Sequence, residues 1–135
     1  MKNLSIYFYL LLNFIFANTL FSQNTINKEP QIVFNEISHD YGIIDSASNG
    51  YCEFIFKNEG LKDLIIYDAK GSCGCTTPEW TKTPIKPGET GVIKVLYDTK
   101  KVGFINKSVN VFTNATNYQN GVITIRIKGE VIRKN

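Results

Sequence analysis

Ser72-Cys73-Gly74-Cys75-Thr76 holds two of the three cysteines in this chain, with a single glycine between them. One intervening residue lets both sulfurs point to the same side of an extended segment, and glycine permits backbone shapes that other residues avoid. Such a pair can close a disulfide, provided the chain turns and brings the Cα atoms within about 4.4–6.8 Å. A bridge across so short a loop is expected to be strained and easily reduced. As thiolates, the same two residues can hold a soft ion such as Cu(I). Zinc asks for about four ligands, and Cys52 and His39 are the remaining soft candidates. Against these chemistries stands a plain structural role, in which the pair only pins its loop. That role carries more weight. Redox enzymes more often place Cys-x-x-Cys on a thioredoxin-like βαβ frame, and nothing in this chain reads as that frame.

The other reactive side chains are weaker candidates. Cys52 alternates in phase with Phe54 and Phe56, so it reads as a buried thiol behaving like a small apolar residue. His39 is the lone histidine. A Cys–His nucleophile pair is possible in principle, but His39-Asp40 before Gly42 reads as a turn whose side chains bond local backbone. Asp40, Asp45 and Asp98 also fall where aspartate serves turns. No paired carboxylates stand out, and no Gly-x-Ser-x-Gly, His-Glu-x-x-His or phosphate-binding loop is present. No catalytic residue and no resident cofactor are therefore assigned, with a soft metal ion at the cysteine pair as the one cofactor candidate. Trp80, with Tyr67, Tyr97 and Tyr118, could anchor a partner, but the reading that these rings fill the core or cap sheet ends carries more weight.

The compartment matters, because thiols pair in oxidising surroundings and stay reduced in the cytosol. Lys2 supplies a basic start, Leu4 to Phe21 is almost wholly apolar, and a polar stretch opens at Ser22-Gln23. That is the order of a secretory signal. The run is near the lower length limit for a membrane span, and no basic stop-transfer cluster follows it. Residues 1–22 are read as a signal peptide cleaved before Gln23, leaving no span in the mature chain, which would be periplasmic, associated with the outer envelope, or secreted. No cysteine follows directly, which argues against a bacterial lipoprotein anchor. The formal charge of +3 includes Lys2, so the mature chain carries 3 − 1 = +2. So mild an excess, with no dense basic stripe, argues against a nucleic-acid surface.

The elements that must position the cysteines read as short strands. Residues 23–30 form a polar lead-in, and residues 31–135 form one domain. Gln31 to Ile37 is a first strand. Tyr51 to Lys57 alternates with a period of two, as a half-buried strand requires, and Asn58-Glu59-Gly60 supplies a turn. Leu64 to Ala69 is a third run, with a bulge expected near Asp68. The segment from Gly71 to Pro87 reads as a functional loop or one containing a short edge strand. Pro87-Gly88 fits a type II turn. Val92 to Tyr97, Phe104 to Thr113, and Ile123 to Val131 complete the set, and Gly129 marks a bulge or close packing. No segment after the leader carries a sustained helical stripe. The expected fold is all-β, an immunoglobulin-like antiparallel sandwich of about seven strands.

The order of landmarks resembles a secreted bacterial domain-of-unknown-function family whose hallmark is Ser-Cys-Gly-Cys-Thr. The matching pieces are His39-Asp40-Tyr41-Gly42, Phe54-Ile-Phe56-Lys-Asn58-Glu-Gly60, Ser72 to Thr76, Pro78-Glu-Trp80, Ile85-Lys-Pro87-Gly88, Tyr97-Asp98, Thr113-Asn114-Ala115 and Ile127-Lys-Gly129. The resemblance implies a single immunoglobulin-like sandwich, similar to domains of the major-sperm-protein and cilia-associated type, with no established activity. Tyr41 stands where that family often has Phe, and Cys52 is extra to the shared motif. The function expected is non-enzymatic binding or structural work with a protein partner of the cell envelope; thiol-redox or soft-metal handling at Cys73 and Cys75 is the alternative.

Overall fold

The computed structural model describes residues 28–135; the leader and most of the lead-in expected from sequence lie outside them. Eight strands follow in order: β1 (Ile32–Phe34), β2 (Ser38–Asp45), β3 (Tyr51–Asn58), β4 (Ile66–Gly71), β5 (Thr76–Trp80), β6 (Thr90–Tyr97), β7 (Gly103–Thr113) and β8 (Val122–Ile132). They make two four-stranded sheets, β1-β3-β6-β5 and β2-β8-β7-β4. The protein is an immunoglobulin-like β-sandwich.

Period-two alternation explains the strands and the core together. Along β3, Cys52, Phe54, Phe56 and Asn58 are buried, while Tyr51, Glu53, Ile55 and Lys57 face solvent. Ile93, Val95 and Tyr97 of β6 meet them, and Ile123, Ile125 and Ile127 of β8 with Val109 and Val111 of β7 close the core from the other sheet. A fully buried side chain such as Phe56 or Ile93 is worth roughly 1.5–3 kcal/mol over leaving it in water. This core supplies the apolar burial that holds the two sheets together.

The turn over Pro87-Gly88 forms as expected: Glu89 N–H donates to Lys86 O at 2.9 Å, and Gly88 has φ +80°. The bulge near Asp68 also forms, as a register shift between Ile66 and Asp68 against β7. Leu64 lies outside β4 and makes an isolated bridge to Ile85.

Two features differ from the sequence reading. His39 and Asp40 lie within β2 rather than in a turn, because the N-terminal run splits: β1 joins one sheet and β2 crosses to the other. Moreover, β2 runs parallel to β8, the exception in an otherwise antiparallel sandwich. The signal was masked by a bulge. Asp40 pairs with Lys128 and Ile43 with Glu130, so Tyr41 and Gly42 together oppose Gly129. That extra residue shifts the alternation, and Asp40 Oδ1 accepts from Gly42 N–H at 2.8 Å, a local bond that does mimic a turn.

Both edges of the β1-β3-β6-β5 sheet are blunted. Cys75 O accepts from Asp98 N–H, and Thr81 N–H donates to Val92 O. Alternate residues of β5 therefore face β6, and Pro78 turns its missing N–H toward the open edge, where an added strand would need a donor. At the opposite edge, the Asn117 side-chain amide accepts from Ile32 N–H at 3.1 Å and donates to Ile32 O at 2.8 Å, standing in for a neighbouring strand.

Candidate functional site: the disulfide arch

β4 and β5 are edge strands of opposite sheets, and Ser72–Cys75 carries the chain between them. Cys73 and Cys75 are joined by a disulfide, with Cα atoms 5.3 Å apart. The bridge closes the tip of this arch. Ser72 N–H donates to Ser108 O at 2.9 Å, and Ser72 Oγ accepts from Ser108 N–H at 3.2 Å, tying the arch to β7. On the other side, Asp98 N–H donates to Cys75 O at 2.9 Å, tying it to the end of β6.

A loop of three residues loses little chain entropy on closure: the chain-entropy relation gives about 1.6 kcal/mol, below the usual disulfide contribution. The bridge acts on its own arch more than on the fold. Cys75 is buried and Cys73 is half-exposed. Thr76, the last residue of the motif, is only 4% exposed. Its hydroxyl lies 3.7 Å from Cys73 Sγ and 3.8 Å from Cys75 Sγ. Sequence reasoning gave Thr76 no role. The available signal was position: as the first residue of an alternating strand, its side chain turns inward beneath the sulfurs. Beside the arch opens a cleft of about 440 Å³, whose lining includes Gly50, Gly74, Cys75, Tyr97, Asp98 and Lys100.

The other candidates do not converge on this arch. Cys52 is free and buried, on β3. His39 on β2 packs edge-on against Tyr41, ring centroids 4.6 Å apart. The Tyr41 hydroxyl donates to Gly50 O at 2.6 Å and lies 3.4 Å from Cys52 Sγ. Tyr41 thus stands between histidine and thiol, and no Cys–His pair forms. Among the described residues, no group of three or more His, Cys, Asp or Glu side chains is placed to hold a metal ion, so the four donors of a zinc site are not assembled. Trp80 pairs with Ile93 on the inner side of its sheet, packs against the core, and carries Lys82 Nζ 3.0 Å from its ring centroid. Tyr97 is core, Tyr118 packs on it, and Tyr67 is exposed. The aromatic residues do not form one surface.

Burial holds the Tyr41 hydroxyl well above the ordinary tyrosine range, with Cys52 adding to the effect. Burial also pushes the Cys52 thiol up, partly offset by the hydrogen bond from Tyr41. Tyr51 is pushed up to about 12 because its hydroxyl bonds the Glu53 carboxylate; it is exposed and says nothing about stability. For Tyr41 and Cys52, the folded state keeps protons that the unfolded chain releases first. Stability is therefore full below the unfolded values and falls as pH rises past about 9–10. Urea unfolding at pH 8 and pH 10.5 is expected to show this loss, and Tyr41→Phe should reduce the pH slope while costing stability at pH 8.

A family model described as "Protein of unknown function (DUF1573)" matches residues 32–131. The chain belongs to that family. The match runs from the start of β1 to Val131 in β8 and includes the disulfide arch. No curated protein matches the chain in sequence. In structure, this DUF1573 domain is similar to a protein of unknown function from Porphyromonas gingivalis, at 16% identity and TM-score 0.67, covering 82% of this chain and 51% of that one. The chain thus spans about half the length of that relative. The PapD-like domain 7 of human CEP192 gives TM-score 0.65 at 7% identity, covering 87% of this chain and 96% of that domain. The CsuC–CsuE chaperone–tip adhesion subunit complex of Acinetobacter baumannii Csu pili includes a chain similar at TM-score 0.51 and 10% identity, covering 75% and 57%. At these identities the likeness is one of fold.

Proposed function

We propose that this DUF1573 domain is an exported, non-enzymatic module that binds a protein partner in the cell envelope through the outer face of the β2-β8-β7 sheet. One observation carries the proposal. Ile43 and Phe104 flank Glu130 from the two neighbouring strands, 70% and 82% exposed, and Ile132 lies two residues further along β8. Exposed apolar side chains scattered singly need no explanation, but a cluster spanning three strands marks an interaction surface. The blunted edges of the other sheet disfavour an added strand there. The PapD-like fold accords with this role, since one of its similar structures is a chaperone–subunit complex. Trp80, the candidate anchor from sequence, lies on β5 of the other sheet and packs inward, so it takes no part in this surface.

The test is cross-linking in the envelope, followed by capture of the native protein and of the double variant Ile43→Asp, Phe104→Asp. The native protein should retain a defined partner that the variant loses while keeping its fold. Identical captures would remove the proposal. A second reading, thiol exchange or soft-metal handling at Cys73 and Cys75, is favoured by the half-exposed Cys73 at an arch that stability hardly needs. Among the described residues no helix is long and apolar enough to cross a membrane.

A further inference from the structure

We propose that the buried Thr76 hydroxyl poises the Cys73–Cys75 disulfide for reduction, making the arch a thiol–disulfide exchange site for a dithiol-bearing protein. The inference deepens the thiol-exchange reading and rests on it. Thr76 is nearly inaccessible, and the two bridging sulfurs are its only hydroxyl partners among the described residues. Sulfur in a disulfide is a weak acceptor, so the oxidised state leaves a buried hydroxyl poorly satisfied, and that costs free energy. A thiolate is a charged acceptor, and hydrogen bonds to charged groups are roughly twice as strong. Reduction thus improves the surroundings of this hydroxyl, and the protein favours the reduced pair more than an apolar neighbour would.

The burial difference orders the steps. A thiolate of the reductant attacks the half-exposed Cys73 Sγ. The Cys73–Cys75 bond breaks as the mixed disulfide forms, and the electron pair leaves on Cys75 Sγ. That thiolate keeps its charge, held by a hydrogen bond from Thr76 Oγ1. The second thiolate of the reductant attacks its own bridged sulfur and releases Cys73, which takes a proton from water. Two electrons pass from the dithiol to the disulfide. Thr76 is a positioning residue here, since it stabilises the leaving sulfur without bonding to the reductant.

The test equilibrates the folded mature protein with reduced and oxidised glutathione and maps thiols by alkylation and peptide mass, which separates Cys52 from the pair. Thr76→Val keeps shape and removes the hydroxyl. It should need about tenfold more reducing conditions at the midpoint, about 30 mV, while Thr76→Ser stays near the native value. Coincident native and Thr76→Val midpoints would overturn the role of Thr76, and the serine variant guards against a packing artefact. A separate arm tests exchange itself. Cys75→Ala should trap a mixed disulfide between Cys73 and glutathione, and Cys73→Ala should do so far more slowly. Equal rates, or no adduct, would overturn the exchange site even with a shifted Thr76→Val midpoint.

Discussion

Replacing Asn58 with alanine is expected to cost about 3 kcal/mol or more, enough to lower the thermal midpoint by roughly 15 °C in a domain of this size. Asn58 is fully buried at the end of β3. Its side-chain nitrogen donates to Lys62 O at 2.7 Å and to Ile85 O at 2.9 Å, and its oxygen accepts from Gly60 N–H at 2.9 Å. Its own backbone pairs with the turn at Lys86–Glu89 through Glu89 O and Gly88 N–H. With a longer bond at 3.4 Å from Gln31 N–H, one amide thus satisfies four backbone groups, and removing it strands the buried ones away from water. Aspartate is a sharper probe, because it keeps the acceptor and, when ionised, loses the donor. Its carboxylate would face two carbonyl oxygens in a buried site, which raises its folded pKa above the unfolded value. The penalty is then present at neutral pH and relieved in acid, so Asn58→Asp should lose more stability relative to the native protein at pH 7 than at pH 4. Differential scanning calorimetry at both values checks the magnitude and the sign; a loss of less than 1 kcal/mol in the alanine variant would contradict the account.

Gly129→Ala is expected to cost about 3 kcal/mol, with the damage centred on β2. Gly129 has φ +148°, outside the range L residues readily adopt, and that alone costs of order 1–3 kcal/mol. A Cβ there would also stand 2.8 Å from Gly42 O and 3.1 Å from Tyr41 Cβ, inside the bulge that sets the parallel register. Backbone cannot yield as a flexible side chain does, so β2 must move away from β8. Amide hydrogen exchange should rise along Ser38–Asp45 before it rises in β3 or β6. Ile43 would shift with the strand, so the variant should also weaken partner capture through the Ile43–Phe104 face. Uniform loss of protection across both sheets would show that β2 and the core unfold as one unit.

Much of this architecture was legible in sequence because alternation and burial are the same signal. Phe54 and Phe56, Ile93 and Val95, Val109 and Val111, and Ile123, Ile125, Ile127 and Val131 each announce a strand and its inner face, and all are core residues. The Pro87-Gly88 turn and the Asp68 bulge are local events, fixed by residues a few positions apart. β2 was not legible, because its bulge breaks the period and its partner lies far along the chain. The direction of that strand relative to β8 has no local cause at all. Asn58 looked like a turn residue, and its true environment depends on Ile85, brought near only by folding.

The cysteine pair divides in the same way. Sequence alone determined that Cys73 and Cys75 stand one residue apart in a connection between strands, and that Cys52 sits on a buried face, because chain spacing and side-chain period are properties of the chain itself. Only the tertiary structure decided that the connection crosses between sheets, that Tyr41 separates His39 from Cys52, and that a buried hydroxyl lies under both bridging sulfurs. Those relations join residues whose neighbours come from different sheets, and packing two sheets face to face is what sets their distances and removes the water between them.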